Sequence, residues 1–253
     1  MPKGKKESDG ECVIREPLET RPLSLKNTDN KTIVQANVLM LEPQYKKNTH
    51  KVQNGFVSGR NFLQNLVDID AAGRICSSKY QGSMPSLKIT KNIPVIGAYD
   101  FEAAFPSVIH RWIWAVLKHR KLPLHFLTLF IAIYNNAKAV IMQDGYTYEI
   151  INFLSGVLQG CPGSAFLFNN ALDPFLVCFS NALGNGAKGI VRACADDLAF
   201  ALSRLKHLEL LSPIYAQAES TGGLKLKPQK CKIAPLVEEN PGKYEEIESW
   251  IKK

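Results

Sequence analysis

The chain has 253 residues, 45% of them apolar, and its six cysteines include no C-x-x-C pair, which argues against a zinc module and a secreted disulfide framework. A formal net charge of +8 suits a polyanionic partner such as nucleic acid without requiring one. No run approaches the roughly 20 apolar residues of a membrane span, and no apolar segment follows the lysines of MPKGKKESDGE, so a soluble intracellular protein with no membrane partner is expected.

Residues 1–16 are polar and read as a loose basic tail. From Arg21 to Arg60 the chain is basic, and in IVQANVLMLEP a helical face of Ile33, Val34, Asn37, Val38 and Leu41 is expected to end at Pro43. Residues 76–94 are rich in turn formers and read as a connection. PVIGAYDF is a short strand ending on Asp100, and beyond Pro106 the positions Val108, Ile109, Trp112, Ile113, Val116 and Leu117 repeat at helical spacing until Pro123. LHFLTLFIAIYNN is a second apolar helix, and AVIMQDGYTYEIINF is a hairpin about Asp144-Gly145.

GVLQGCPGS is a Gly/Pro-rich loop leading into the helix AFLFNNALDPFLVCF, which Pro174 should kink or divide. GIVRACADDLAFAL reads as strand, tight turn, strand. Leu205, Leu208, Leu211, Ile214, Tyr215 and Ala218 suggest one more amphipathic helix, and TGGLKLKPQKCKIAPL closes with a glycine stop and a short strand. The expected class is α+β, with antiparallel pairing at the centre and helices flanking the sheet.

Asp100 closes one strand, and Asp196-Asp197 sit at a hairpin tip 96 residues later. If the strands are neighbours, their ends bring carboxylates together, and such a cluster calls for cations. Oxygen ligands with incomplete protein coordination suit Mg²⁺, and two ions could clamp the attacking and leaving oxygens of a phosphoryl transfer. Successive strand residues face opposite ways, so both acids of the pair can serve only if they lie on the turn; Asp196 is taken as the stronger ligand, Asp197 as the secondary one. The turn holds no glycine, so local strain is expected there. An Asp-Asp turn in isolation is ordinarily a solvated hairpin tip; its companions argue otherwise.

AYDFEAAFPSVIH, GVLQGCPGSAFLFN, CADDLAF and GGLKLKPQK, in this order, resemble the palm motifs of reverse transcriptases of the non-LTR retrotransposon and group II intron type, and RPLSL followed by HKVQNGFVSGR resembles the fingers segment of that family. The resemblance implies a right-hand polymerase with fingers over residues 17–92 and palm over 93–235. Residues of about 107–155 would partly return to the fingers, and 236–253 would form a charged segment where a thumb would begin, the thumb itself being absent. It implies RNA-directed DNA polymerase activity on an RNA template and a DNA primer, with dNTPs as substrates and two Mg²⁺ ions, or Mn²⁺ in their place. Asp100, Asp196 and Asp197 would be the catalytic, metal-binding acids. Phe105 would crowd the sugar 2′-OH, although an aromatic after a strand is ordinarily core. Gln159 and Gly160 would lie along the nascent base pair. Arg21, Lys31 and Lys230 would contact the triphosphate, Lys230 also being read as a solvated lysine of a basic patch. Arg60 would be structural or touch the template backbone.

Cys194 stands where the family generally has an aromatic beside the primer end, Pro106 where many relatives carry a further aspartate, and Met40 where retrotransposon relatives often have arginine. These departures, with the expected lack of a thumb, motivate a second reading: a catalytically impaired RNA-binding or scaffold domain derived from such a polymerase.

Overall fold

A computed structural model describes residues 27–82, 90–237 and 241–251. Its centre is a four-stranded antiparallel sheet in the order β4-β5-β1-β6, formed by β1 (Val95–Tyr99), β4 (Gly189–Cys194), β5 (Asp197–Leu202) and β6 (Lys232–Pro235). A separate two-stranded sheet pairs β2 (Lys138–Gln143) with β3 (Tyr146–Asn152). Its turn puts Asp144 and Gly145 both at positive φ, as the Asp-Gly signal predicts.

Strand alternation decides which helix meets which face. Val191 and Ala193 of β4 and Leu198, Phe200 and Leu202 of β5 are buried on one side, where α6 (Ser164–Ala182) and α7 (Ser212–Gly222) close the core. Tyr99 stacks there on Tyr215 and meets Phe200 edge-on. Gly97 leaves the space that this ring occupies, since a Cβ at Gly97 would lie 2.5 Å from it. On the other face α2 (Leu63–Gln81) packs against Ile96 through Gly73, and its Asp68 pairs with Arg192 at 2.6 Å. A short helix α3 (Ala104–Ser107), then α4 (His110–His119) and α5 (Leu124–Tyr134), join β1 to β2, while α1 (Thr28–Asn48) lies before α2 and α8 (Pro241–Ile251) ends the chain.

Four sequence expectations change. Pro43 does not end α1, which runs through it to Asn48. The carbonyl that this proline orphans belongs to Leu39 on the exposed side, open to solvent, while Val34, Leu41 and Tyr45 hold the buried side. Pro174 does not divide α6: apolar burial along its length outweighs the lost bond, and the Trp112 indole donates to the neighbouring Ala171 carbonyl at 2.8 Å. Residues 76–81 are the last turns of α2 and no connection. The stripe from Leu205 to Ala218 is broken into a 3₁₀ stretch, Leu205–Leu210, and α7, because Pro213 opens a new helix.

Candidate active site

Register builds the site. Partners along β1 and β5 run from Val95 opposite Leu202 to Tyr99 opposite Leu198, so Asp100 and Asp197 follow at the same end of the sheet, close enough for the charge of Asp100 to act on Asp197. Cys194 pairs with Asp197 across β4 and β5, which leaves Ala195 and Asp196 as the two loop residues of the hairpin. The strain expected in this glycine-free turn falls on Ala195, at φ 56°. The third wall is the segment before β6: the Lys227 amide donates to the Asp100 carbonyl at 2.9 Å and the Glu102 amide to the Lys225 carbonyl at 2.7 Å. That brings Lys230, in a 3₁₀ turn, to Asp100, with Nζ 2.6 Å from Oδ2.

The charges respond to one another. Desolvation around the Asp197 carboxyl, then the charge of Asp100, push its pKa above the ordinary value, and Lys230 partly opposes this. The Asp100 carboxylate, first by its hydrogen bond and then by its charge, raises the Lys230 ammonium. Burial, then Asp197 and Asp196, raise the Cys194 thiol, so it stays protonated at neutral pH. A carboxyl whose pKa is raised by folding holds its proton longer in the folded chain. Stability therefore falls as pH rises through the window above the ordinary value of 3.8, and the cost is complete at neutral pH. Asp197→Asn is expected to stabilise the fold at pH 7 by up to about 1 kcal/mol, small because the residue is exposed, and to leave the melting temperature at pH 3 unchanged. Thermal melts at both pH values check this, and a fall at pH 7 contradicts it.

The Gln159 loop is stitched to the chain around Phe105. The Val157 amide donates to the Phe105 carbonyl and the Gly156 amide to the Val108 carbonyl, each at 2.7 Å. A Cβ at Gly156 would sit 2.2 Å from the Pro106 carbonyl oxygen, so only glycine permits this approach. Ser164 Oγ donates to the Leu158 carbonyl at 2.6 Å, and the turn leaves Gln159 half-buried and Gly160 exposed at φ 90°. Phe105 is half-buried, stacked on Phe168 at 4.3 Å and edge-on to Phe56 at 6.5 Å.

Lys31 lies half-buried in the first turn of α1. One turn on, Val34 packs on Gly163 at the end of the Gln159 loop. Arg21 lies outside the described residues. Arg60 spends its guanidinium on four backbone carbonyls: His50 and Gln53 at 2.7 Å, Thr49 at 2.8 Å and Lys46 at 3.2 Å. Sequence reasoning passed over Gln53. It is fully buried and its amide bonds both backbone groups of Ala195. Its position two residues before Gly55 gives no periodic signal.

Among the described residues no three His, Cys, Asp or Glu side chains converge so as to hold a metal by themselves. Magnesium asks for less, one or two carboxylates with water and substrate phosphates completing its shell. Two carboxylates near enough to feel each other's charge, one of which already draws a lysine ammonium, form a donor set of that kind. The residues fit the ion.

Against known proteins, the profile of the family described as reverse transcriptase (RNA-dependent DNA polymerase) matches residues 5–245. The chain belongs to the reverse transcriptase family. It is 32% identical over 158 residues to a retrovirus-related Pol polyprotein from the type-1 retrotransposable element R2 of Nasonia vitripennis, covering 61% of this chain and 15% of that relative. It is 29% identical over 139 residues to the Pol polyprotein of the type-2 element R2DM of Drosophila melanogaster, covering 54% of this chain and 13% of the relative. This reverse transcriptase domain thus groups with non-LTR retrotransposon proteins and spans about a seventh of their length. Its fold is similar to that of apo telomerase from Candida tropicalis truncated from its C-terminal domain (TM-score 0.59, 10% identity, 83% of this chain and 41% of that one). It is also similar to telomerase from the same organism in complex with a fragment of telomeric RNA (TM-score 0.56, 13% identity, 81% and 33%). The antiparallel sheet flanked by helices is the polymerase fold of these neighbours. Among the described residues no helix is long and apolar enough to cross a membrane.

Proposed function

We propose that this chain forms the fingers and palm of an RNA-directed DNA polymerase that joins a dNTP to a DNA primer on an RNA template. The observation that carries the reading is the meeting of Asp100 with Asp197 at a common sheet end, with Asp196 on the adjoining turn and Lys230 on Asp100. Fingers over 17–92 and palm over 93–235, with about 107–155 partly returning to the fingers, follow the same reading, as does the charged segment 236–253.

In the reaction the primer 3′-hydroxyl gives its proton to water, its oxygen bonds to the α-phosphorus of the dNTP, and the bond to the bridging oxygen breaks to release pyrophosphate. Two bound Mg²⁺ ions, or Mn²⁺, would supply charge neutralisation and lower the pKa of the 3′-hydroxyl. Asp100 and Asp197, at the same end of the sheet, and Asp196 on the turn would hold them. Lys230 would turn from Asp100 to the departing pyrophosphate, its Nζ proton offsetting charge that grows on the leaving oxygen. Gln159 and Gly160 would lie along the new base pair, where the exposed glycine backbone allows close approach. Lys31, with Arg21, would meet the triphosphate from α1. Cys194, one residue before the turn, would face the primer end, and Arg60 would support the template side by holding the 46–53 backbone in place.

Phe105 would screen the sugar. Its ring is fixed on one side by Phe168 and on its edge by Phe56, so it has little freedom to retreat from an added hydroxyl. Primer extension on an RNA template with dNTPs and rNTPs, and Asp196→Asn as control, tests the whole reading. Phe105→Val is expected to erode the preference for dNTPs by about a hundredfold and to cost about 1 kcal/mol of stability through the lost stack. An unchanged sugar preference contradicts the screen. RNA binding without incorporation by the folded wild-type chain favours the scaffold reading instead.

A further inference from the structure

We propose that Gln53 is a positioning residue for the acidic turn: its side-chain amide holds Ala195 in the left-handed conformation that aims Asp196. The proposal rests on the polymerase reading and adds to it a residue remote in sequence from the acids. The hairpin loop has two residues, and only the first, Ala195, has positive φ, at 56°. A single positive φ at that position is the pattern of a II′ turn, which ordinarily takes glycine there. An alanine needs compensation from its surroundings to stay in that region.

Gln53 supplies it. Fully buried, its Oε1 accepts from the Ala195 amide at 2.8 Å, and its Nε2 donates to the Ala195 carbonyl at 3.0 Å. One side chain thus grips both polar groups of the strained residue, as a rung of a sheet would. Its own frame is fixed. Oε1 also accepts the Gly55 amide at 2.8 Å, the Asn54 amide donates to the Ala193 carbonyl at 2.8 Å, and the Ala193 amide to the Val52 carbonyl at 2.9 Å. Asn65 Nδ2 reaches the same Ala193 carbonyl at 2.9 Å, and Arg60 donates to the Gln53 carbonyl. A Cβ at Gly55 would lie 2.2 Å from the Ala195 nitrogen, so this backbone presses directly on the turn. Asp196 is the next residue, and the peptide between it and Ala195 sets the direction of its side chain.

Gln53→Met keeps the length of the side chain and removes its three hydrogen bonds. Binding of Mn²⁺ alone, read by electron paramagnetic resonance, is expected to weaken about tenfold, and hydrogen exchange at the Ala195 amide to accelerate. Adding Ala195→Gly, which adopts positive φ without steric cost, is expected to restore Mn²⁺ affinity to within about threefold of wild type. Rescue at a backbone position is what a merely packing role for Gln53 would not produce. If Gln53→Met melts below the assay temperature, Gln53→Glu, which sets an oxygen against the Ala195 carbonyl, is read in the same way. Wild-type Mn²⁺ affinity and unchanged Ala195 exchange in these variants overturn the proposal, as does failure of the glycine to rescue a folded variant. A wild-type chain that binds Mn²⁺ no better than Asp100→Asn sinks the polymerase reading instead, while Ala195 exchange still reports on the clamp.

Discussion

Asp100→Asn is expected to lower incorporation of dNTPs by at least about a thousandfold while the chain stays folded. Asparagine preserves shape and volume, so Phe101 and Tyr99 on either side keep their packing. What disappears is one of two interacting negative charges and the partner of Lys230. The fold loses little by this, since the Lys230 end of the ion pair is exposed to solvent and the repulsion on Asp197 is relieved. Transition-state charge on a transferring phosphoryl group is stabilised by several kcal/mol through bound divalent ions, and each 1.36 kcal/mol is tenfold in rate. A site unable to hold its ions therefore loses about three orders of magnitude or more. Primer extension on an RNA template, with circular dichroism to establish the fold, reads this directly. Incorporation within tenfold of wild type by the folded variant would remove Asp100 from the chemistry.

How much of this was legible in the sequence depends on how local the determining interaction is. The hairpin at Asp144-Gly145 is legible because both residues at positive φ are of the kinds that tolerate it. The acids are legible because strand ends and tight turns leave marks in the chain, and the resemblance orders them. Helix α2 left no comparable mark: toward the sheet it buries only Asn65, Ile69 and Gly73, while Leu63, Leu66, Val67 and Ile75 are exposed, so its apolar residues trace no stripe. The prolines misled for the opposite reason. Their local cost is real, but at Pro43 it falls on the solvent side of the helix, and at Pro174 burial overrides it. Gln53 was the least accessible. A buried glutamine is unusual, yet nothing in its neighbourhood reveals that its partner lies 142 residues away. Arg60 is a milder case, since a basic residue in a basic segment invites a phosphate, and the backbone carbonyls that it satisfies lie seven to fourteen positions before it.

The largest expected effect on stability lies away from the acids, at Asp173. This carboxylate, 2% exposed, sits within α6; Oδ2 accepts from Arg120 Nη2 and Oδ1 from the His50 amide at 2.7 Å. Arg120 in turn donates through Nη1 to Asn170 Oδ1 at 2.6 Å. Removing one member of a buried pair leaves the other charge without a partner, which costs about 3–5 kcal/mol. Asp173→Ala is thus expected to lower the melting temperature by roughly 10–15 °C, taking 2–4 °C per kcal/mol for a domain of this size. Removing both charges with apolar residues of similar volume, Asp173→Leu with Arg120→Met, is expected to recover most of the loss, because a well-packed apolar pair replaces a buried ion pair at little cost. A residue of about 1–3 kcal/mol should persist, since the His50 amide is left without an acceptor. Calorimetric melts of both variants decide the matter, and a double variant no more stable than the single one would refute the ion-pair account. That unmatched amide also links stability to the site. His50 leads directly into the segment at 52–55 that grips Ala195, so loosening it should weaken Mn²⁺ binding even in the double variant, at temperatures where its fold is intact.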